Sequence, residues 1–297
     1  MDTEKINSYS FRTPEHRWWT KETVAVVTGA NKGIGFSLVR QLSELGLTVI
    51  LTARDEVKGL RAMNILNQDY GFSSLRFHSL DVSDPTSIEA FASWLVREFG
   101  FLDILVNNAA VSFNDIHENS VDHAEIVINT NYLGAKRLTE ALLPAFRRES
   151  SMSRILNLSS RLGSLNKMRN SNWKRMLESE NLTEQQIEEM TRRFVEQVKD
   201  GRWEGGGWPK VWTAYAVSKM ALNSYSGVLA NRFRGIGLSV NCYCPGFTRT
   251  SMTRERGGHS PDKAAEIAAM LVLQPPQTLP TGKFFLGPSS IDSISKL

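Results

Sequence analysis

Short apolar runs alternate along the chain with stretches in which apolar residues recur every three or four positions. The runs Val24 to Thr28, Leu47 to Ala53, Leu75 to Leu80, Leu102 to Val106, Ile155 to Ser159, Leu238 to Tyr243 and Lys283 to Leu286 read as seven strands. Ile34 to Leu45, Ile88 to Phe99, Ile126 to Phe146 and Tyr215 to Phe233 carry helical spacing. Gly46 ends the first of these helices and Pro144 falls near the end of the third. Strands alternating with helices imply a parallel sheet covered on both faces. Right-handed crossovers then give an α/β, doubly wound Rossmann fold, read here as one domain over residues 23–294.

Two segments break the rhythm. Residues 1–22 hold four basic and four acidic side chains and no apolar stretch, so neither a signal nor a transit peptide is expected. They read as a polar, partly disordered extension that Trp18 and Trp19 pack onto the body. Residues 164–210 are long, polar and strand-free. Within them Thr183-Glu-Gln-Gln186 has the form of a capping box, and Ile187, Met190, Phe194 and Val198 follow at helical spacing. This helical insertion before the Tyr215 helix is expected to act as a lid, or as an arm that blocks oligomer formation.

Composition narrows the function. No apolar run approaches the roughly 20 residues that cross a bilayer. The net charge of +4 is scattered, which suits a cleft for an anionic cofactor and gives no nucleic-acid patch. The two cysteines, Cys242 and Cys244, share one face of a strand with no adjacent His, and read as buried thiols with no metal site. The chain ends in Ser295-Lys296-Leu297, a tripeptide that peroxisomal import receptors read. The expected location is the peroxisome, with the cytoplasm as the alternative.

Thr28-Gly-Ala-Asn-Lys-Gly-Ile-Gly35 follows the first strand and opens the first helix. Gly29, Gly33 and Gly35 permit a tight turn and close approach of a pyrophosphate, which the helix N-terminus attracts. Asn31, Lys32 and Ile34 complete that loop as cofactor-binding candidates. NAD binders usually end the second strand with a carboxylate; here Ala53 is followed by Arg54. Lys32 and Arg54 suit a 2′-phosphate, hence NADPH, and Asp55 is the one opposing charge.

Tyr-x-x-x-Lys occurs twice, at Tyr215-Lys219 and Tyr132-Lys136. Residues four apart share a helix face. A phenol beside an ammonium should titrate below its usual value of about 10, and so exchange a proton with a carbonyl oxygen. Only Tyr215-Lys219 follows a strand that leads into a serine, Ser160, and Ser160 could hold the carbonyl oxygen. Tyr132-Lys136 reads as packing.

With these residues in view, the chain resembles the short-chain dehydrogenase/reductase family from about Thr23 to Leu286. Within that family it is similar to the plant carbonyl-reductase branch of menthone- and salutaridine-reductase-like enzymes. The resemblance rests on the glycine loop and on Leu51-Thr-Ala-Arg-Asp-Glu56, Leu80-Asp-Val82, Asn107-Asn-Ala-Ala110 and Asn129-Thr-Asn131. Leu158-Ser-Ser160, Tyr215-Ala-Val-Ser-Lys219 and Pro245-Gly-Phe-Thr248 complete it. It implies catalytic roles for Asn131, Ser160, Tyr215 and Lys219, with Asn131 anchoring a relay water and Lys219 also holding the nicotinamide ribose. It implies Asp81 and Val82 at the adenine, Asn107 bracing the sheet and Asn108 at the cofactor. Pro245, Gly246, Thr248 and Thr250 are implied along the nicotinamide and pyrophosphate. Ala110 departs from the usual Gly, which a negative φ would tolerate.

The resemblance implies NADPH-dependent reduction of an apolar ketone or aldehyde, by a monomer whose insertion covers the helix face used elsewhere for tetramers. Two alternatives stay open. One is a subunit of a peroxisomal benzaldehyde synthase-type enzyme, which reduces an aroyl-CoA with a partner chain and holds the CoA through Arg249, Arg254 and Arg256. The other is a non-catalytic NADPH-binding partner subunit.

Overall fold

Eight parallel strands lie in the order β1-β8-β7-β6-β5-β2-β3-β4. They are β1 Asp2–Lys5, β2 Val24–Val27, β3 Thr48–Ala53, β4 Leu75–Ser79, β5 Ile104–Asn107, β6 Ser153–Leu158, β7 Leu238–Cys244 and β8 Lys283–Leu286. The structure, a computed structural model, describes residues 2–5, 17–113, 120–147 and 153–287. The Ser295-Lys296-Leu297 tripeptide lies outside the described residues. From β2 the chain winds outward through β3 and β4, then returns to the other side of β2 at β5 and continues through β6, β7 and β8. That reversal makes the β2/β5 junction the switch point of the sheet, where ligands of this architecture bind.

Helices cover both faces. Helices α1 (Gly33–Glu44), α2 (Glu56–Tyr70) and α9 (Pro261–Val272) are on one side. Helices α3 (Pro85–Phe99), α4 (Val121–Ile128), α5 (Ala135–Leu142), α7 (Glu184–Lys199) and α8 (Thr213–Arg232) are on the other, with the short α6 (Ser171–Leu177) beside α7. The central strands β2, β5, β6 and β7 are buried along their whole length. This is why they read as continuous apolar runs.

Several expectations are corrected. The N-terminal extension supplies an edge strand: β1 pairs with β8 from Asp2↔Lys283 to Lys5↔Leu286. Trp18 and Trp19 do tie the extension down, through indole N–H bonds to Leu273 O (3.0 Å) and Leu45 O (3.3 Å). Helices α2 and α9 were not anticipated. In α2 only Gly59, Ala62 and Leu66 are buried while Val57, Leu60 and Ile65 are exposed, so no clean apolar stripe forms. In α9 much of the inner face is alanine, at positions 264, 265, 268 and 269, which gives weak contrast. The helix expected from Ile126 to Phe146 begins at Val121, where Ser120 caps it by accepting from His123 N–H. It passes through a π segment, Asn129–Gly134, and ends in a 3-10 turn, Leu143–Ala145, at Pro144.

The capping box of α7 is formed: Thr183 N–H donates to Gln186 Oε1 (2.9 Å) and Gln186 N–H to Thr183 Oγ1 (3.3 Å). Ile187, Met190, Phe194 and Val198 are buried in the core against α4 and α8, so α7 is an integral layer of the protein.

Candidate active site

The glycine loop is built for a ligand that backbone must approach closely. Gly29 and Gly33 have φ of 61° and 60°, where a side chain is strained. A Cβ at Gly29 would sit 2.8 Å from Ala109 Cα, and one at Gly35 would sit 2.5 Å from Asn108 Nδ2. Helix α1 then opens on Lys32 with no side-chain cap and no acid in its first turn. Its N–H groups are thus left for an anion. Asn31 and Ile34 lie on this loop and are half-buried, and Lys32 is exposed.

The loop is knitted to the end of β5. Thr28 Oγ1 accepts from Asn108 N–H (3.0 Å) and Ala109 N–H (2.9 Å). Asn108 Nδ2 donates to Thr28 O (2.7 Å) and Gly29 O (3.1 Å), so the Asn108 amide braces the loop. Asn107 Nδ2 bonds Thr139 Oγ1 and Asn157 Oδ1, the expected brace of the sheet. Ala110 does not have a positive φ, so Ala is tolerated there.

Across the switch point, Pro245 and Gly246 follow β7, and Gly246 turns with φ 78°. Thr250 approaches the glycine loop: a Cβ at Gly33 would lie 3.5 Å from Thr250 Cγ2. Thr248 is buried, and its Oγ1 lies 2.9 Å from His259 Nε2. His259 Nε2 also lies 2.7 Å from Pro245 O, which can only accept, so the ring donates there and pins the loop. Burial keeps the His259 imidazole below its usual range.

Beyond β3, Arg54 is exposed and Asp55 caps α2. Asp55 pairs with Lys58 Nζ (2.7 Å) and accepts from Lys58 N–H (2.9 Å), and the side-chain ammonium first, then the N–H, holds the carboxyl below its usual range. The opposing acid is therefore occupied. Among the described residues no carboxylate pairs with Lys32 or Arg54, and two cations without an acid partner suit a 2′-phosphate by charge. Asp81 lies past the end of β4, with Oδ1 accepting from Ser83 N–H (2.9 Å) and Oγ–H (2.6 Å). Val82 is buried against the π segment, since a Cβ at Gly134 would come 2.4 Å from its carbonyl oxygen.

The proton-handling residues gather where the end of β6 meets α8. Lys219 is buried on α8 and its ammonium donates to Leu158 O (2.7 Å), the last carbonyl of β6. Lys219 Nζ stands 5.6 Å from the Tyr215 ring centre. Ser160 lies two residues past the end of β6 and starts the 3-10 turn Arg161–Gly163 by accepting from Leu162 N–H (3.1 Å). That turn is pressed against α8: a Cβ at Gly163 would lie 2.5 Å from the Lys219 carbonyl carbon. Asn131 sits in the π segment, a helix distortion common at functional sites. Its amide bonds Val111 N–H (2.8 Å) and Val111 O (2.9 Å), and donates to Ser218 Oγ (3.1 Å). Ser218 Oγ–H in turn donates to Tyr215 O (2.7 Å), so Asn131 is tied to the Tyr215 turn.

Burial sets the electrostatics, and this reverses one expectation. Lys219 was expected to pull the Tyr215 phenol down; instead burial pushes it up, with the nearby Cys244 adding to the effect. Burial also lowers Lys219, to about 8. Desolvation disfavours the charged form of each.

Sequence reading missed Ser218, His259, the Leu158 carbonyl and Trp212. Trp212 directly precedes α8 with φ 49° and ψ 54°, left-handed values that cost a non-glycine residue about 1–3 kcal/mol. Ser218 and Leu158 lay within recognised motifs, but with no role assigned to either. The others depend on tertiary neighbours or on a dihedral that leaves no sequence signal.

The model of the short chain dehydrogenase family matches residues 23–173 and 205–260. The unmatched stretch between them contains α7. The chain is 39% identical over 286 residues to (+)-neomenthol dehydrogenase of Arabidopsis thaliana, covering 88% of this chain and 95% of that one. It is 37% identical over 271 residues to carbonyl reductase [NADPH] 1 of Mus musculus, covering 88% and 95%. The solved structure of salutaridine reductase from Papaver somniferum superposes with a TM-score of 0.82 at 34% identity, covering 89% of this chain and 99% of that one.

Proposed function

The chain belongs to the short-chain dehydrogenase/reductase family, and from that premise we propose that it reduces an apolar ketone or aldehyde. It is an NADPH-dependent oxidoreductase of the carbonyl reductase type. The mouse relative carries that cofactor in its name. The glycine loop, Lys32 and Arg54 suit it, and Asp55 is held elsewhere. A ketone substrate is supported by the names of relatives that act on a secondary alcohol or on carbonyls, neomenthol dehydrogenase and carbonyl reductase [NADPH] 1.

One observation carries the reading: Tyr215 and Lys219 are braced on one turn of α8 against the Ser160 turn, with Asn131 tied to the same turn. NADPH held at the glycine loop would supply the hydride. Ser160 holds the substrate oxygen, and Tyr215 gives it a proton. A phenol raised by burial carries that proton at neutral pH, which is the state reduction requires. Lys219 supplies positive charge beside the developing oxyanion, and Asn131 orients the relay behind it.

The test is NADPH oxidation by the purified chain with a panel of ketones, aldehydes and benzoyl-CoA, repeated with NADH. Ketone-dependent oxidation with a lower KM for NADPH than for NADH is expected. Turnover with benzoyl-CoA alone, or a preference for NADH, would overturn it. Two further readings are proposed on narrower grounds. Helix α7 covers α4 and α8, which supports a monomer that sizing would check. The Ser295-Lys296-Leu297 ending supports peroxisomal import, which deletion of the tripeptide in a fluorescent N-terminal fusion would check.

A further inference from the structure

Trp212 is a bulky residue in a conformation that favours glycine, at φ 49° and ψ 54°. Helix capping does not explain it: Trp212 holds the N-cap position of α8 and makes no side-chain cap bond. Core packing does not explain it either. Trp208 is buried in the core and Trp173 and Trp203 pack against it, whereas Trp212 is not among the side chains of that cluster. What its indole meets is Tyr215, edge to face, with ring centres 6.2 Å apart and planes at 84°. Both rings are half-buried.

We infer that Trp212 is a specificity-determining residue: its indole walls the substrate site beside the Tyr215 phenol. A bulky apolar group next to the substrate carbonyl packs on it. The inference rests on the reductase reading of this site and adds what the site selects. An apolar surface fixed beside the reacting oxygen favours a ketone with a bulky alkyl group next to the carbonyl over an unsubstituted one, because only that group reaches the indole. Its removal should cost a small carbonyl compound less than a bulky one. The left-handed backbone also makes a clean experiment possible. Glycine suits φ 49°, so Trp212→Gly removes the ring without disturbing the start of α8.

The full chain, Trp212→Gly and Trp212→Phe are compared with menthone as the bulky ketone and cyclohexanone as the small one. NADPH affinity is measured by fluorescence titration and stability by thermal melting. Trp212→Gly should lower kcat/KM for menthone about tenfold or more relative to cyclohexanone. NADPH affinity should be unchanged and Tm equal or higher. Trp212→Phe should restore part of the preference. An unchanged menthone-to-cyclohexanone ratio, equal losses on both ketones, or weakened NADPH binding as the sole change would each overturn the inference. If the unsubstituted chain oxidises NADPH with neither ketone, the reductase reading itself fails and takes this inference with it.

Discussion

Tyr215-Lys219 and Tyr132-Lys136 share a spacing and differ in everything around it. Lys219 is buried, has no carboxylate partner among the described residues, and donates to the carbonyl of Leu158. Burial lowers it to about 8. Lys136 lies between two carboxylates, Glu184 at 2.7 Å and Glu188 at 2.6 Å. Burial pulls its ammonium down, but those partners outweigh it and the net direction is up. Tyr215 is half-buried beside the Ser160 turn, whereas Tyr132 is fully buried in the core. Lys136 also lines a groove of about 1050 Å³ between α3, α4, α5 and α7, and none of Ser160, Tyr215 and Lys219 does. Spacing brings two side chains to one helix face; the partners of the cation and the exposure of the phenol decide whether that pair can move a proton.

The largest expected effect breaks the comparison directly. Tyr215→Phe should lower kcat by about 10²–10⁴, the usual worth of a positioned general acid, while NADPH affinity stays within about twofold. Tyr132→Phe should leave both parameters within about twofold. Steady-state kinetics with fluorescence titration of NADPH check the two together. A large kcat loss at Tyr132 and none at Tyr215 would reverse the assignment.

Next is the ammonium. In the cofactor-free chain Lys219 is cationic below about pH 8 and loses its charge as pH rises through that value. An anionic cofactor should therefore bind less tightly above pH 8, by up to about tenfold per pH unit for a one-proton linkage. Lys219→Met should weaken binding at neutral pH and remove that step. The stability term has the opposite direction. The folded value lies below the unfolded one of about 10.4, so the buried ammonium costs stability below about pH 8. That cost is relieved between about pH 8 and about 10.4. Titrations of NADPH from pH 6 to 10 decide the matter, and a flat profile for the unsubstituted chain would rule the linkage out.

Much of this contrast was legible before the structure. All seven strands expected from the apolar runs are present; the central ones, β2, β5, β6 and β7, are buried on both faces and leave an unbroken apolar signal. Helix α7 was legible through its capping box and stripe. Helix α2 was not, with Val57, Leu60 and Ile65 on its outer side. At the site, the placing of Tyr215 after Ser160 separates the two pairs in the sequence itself. The direction of the Tyr215 shift did not follow from sequence, because spacing reports the neighbouring ammonium and tertiary packing supplies the burial. The π segment around Asn131 and the left-handed Trp212 are backbone states with no residue signature of their own. The Glu184 and Glu188 partners of Lys136 arrive from about 50 residues away, on α7.

A smaller effect sharpens the structural half of the comparison. Lys136→Met would leave Glu184 and Glu188 facing each other without their shared cation. Lys136 and Glu184 are mostly shielded while Glu188 is half exposed, so the loss should fall between surface and buried values, at about 1–2 kcal/mol. Urea unfolding reads that loss, and kcat/KM should not change. A fall in kcat/KM without a fall in stability would place this pair in the chemistry after all.

The smallest effect concerns Tyr132 itself. Its hydroxyl is buried and has no hydrogen-bond partner among the described residues, and Glu188 and Glu184 bear on it only electrostatically. Burial pushes its phenol far above the usual range, so it holds its proton at neutral pH. A buried hydroxyl without a partner has lost its hydration with nothing in return. The ring, by contrast, packs in the core and meets Tyr225 edge to face at 6.3 Å. Tyr132→Phe keeps the ring and removes only the hydroxyl, so stability should hold or rise, by up to about 1 kcal/mol. Urea unfolding of the variant checks the sign. A loss above about 1 kcal/mol would mean that the hydroxyl is bonded in solution, and the contrast with Tyr215 would then rest on the lysines alone.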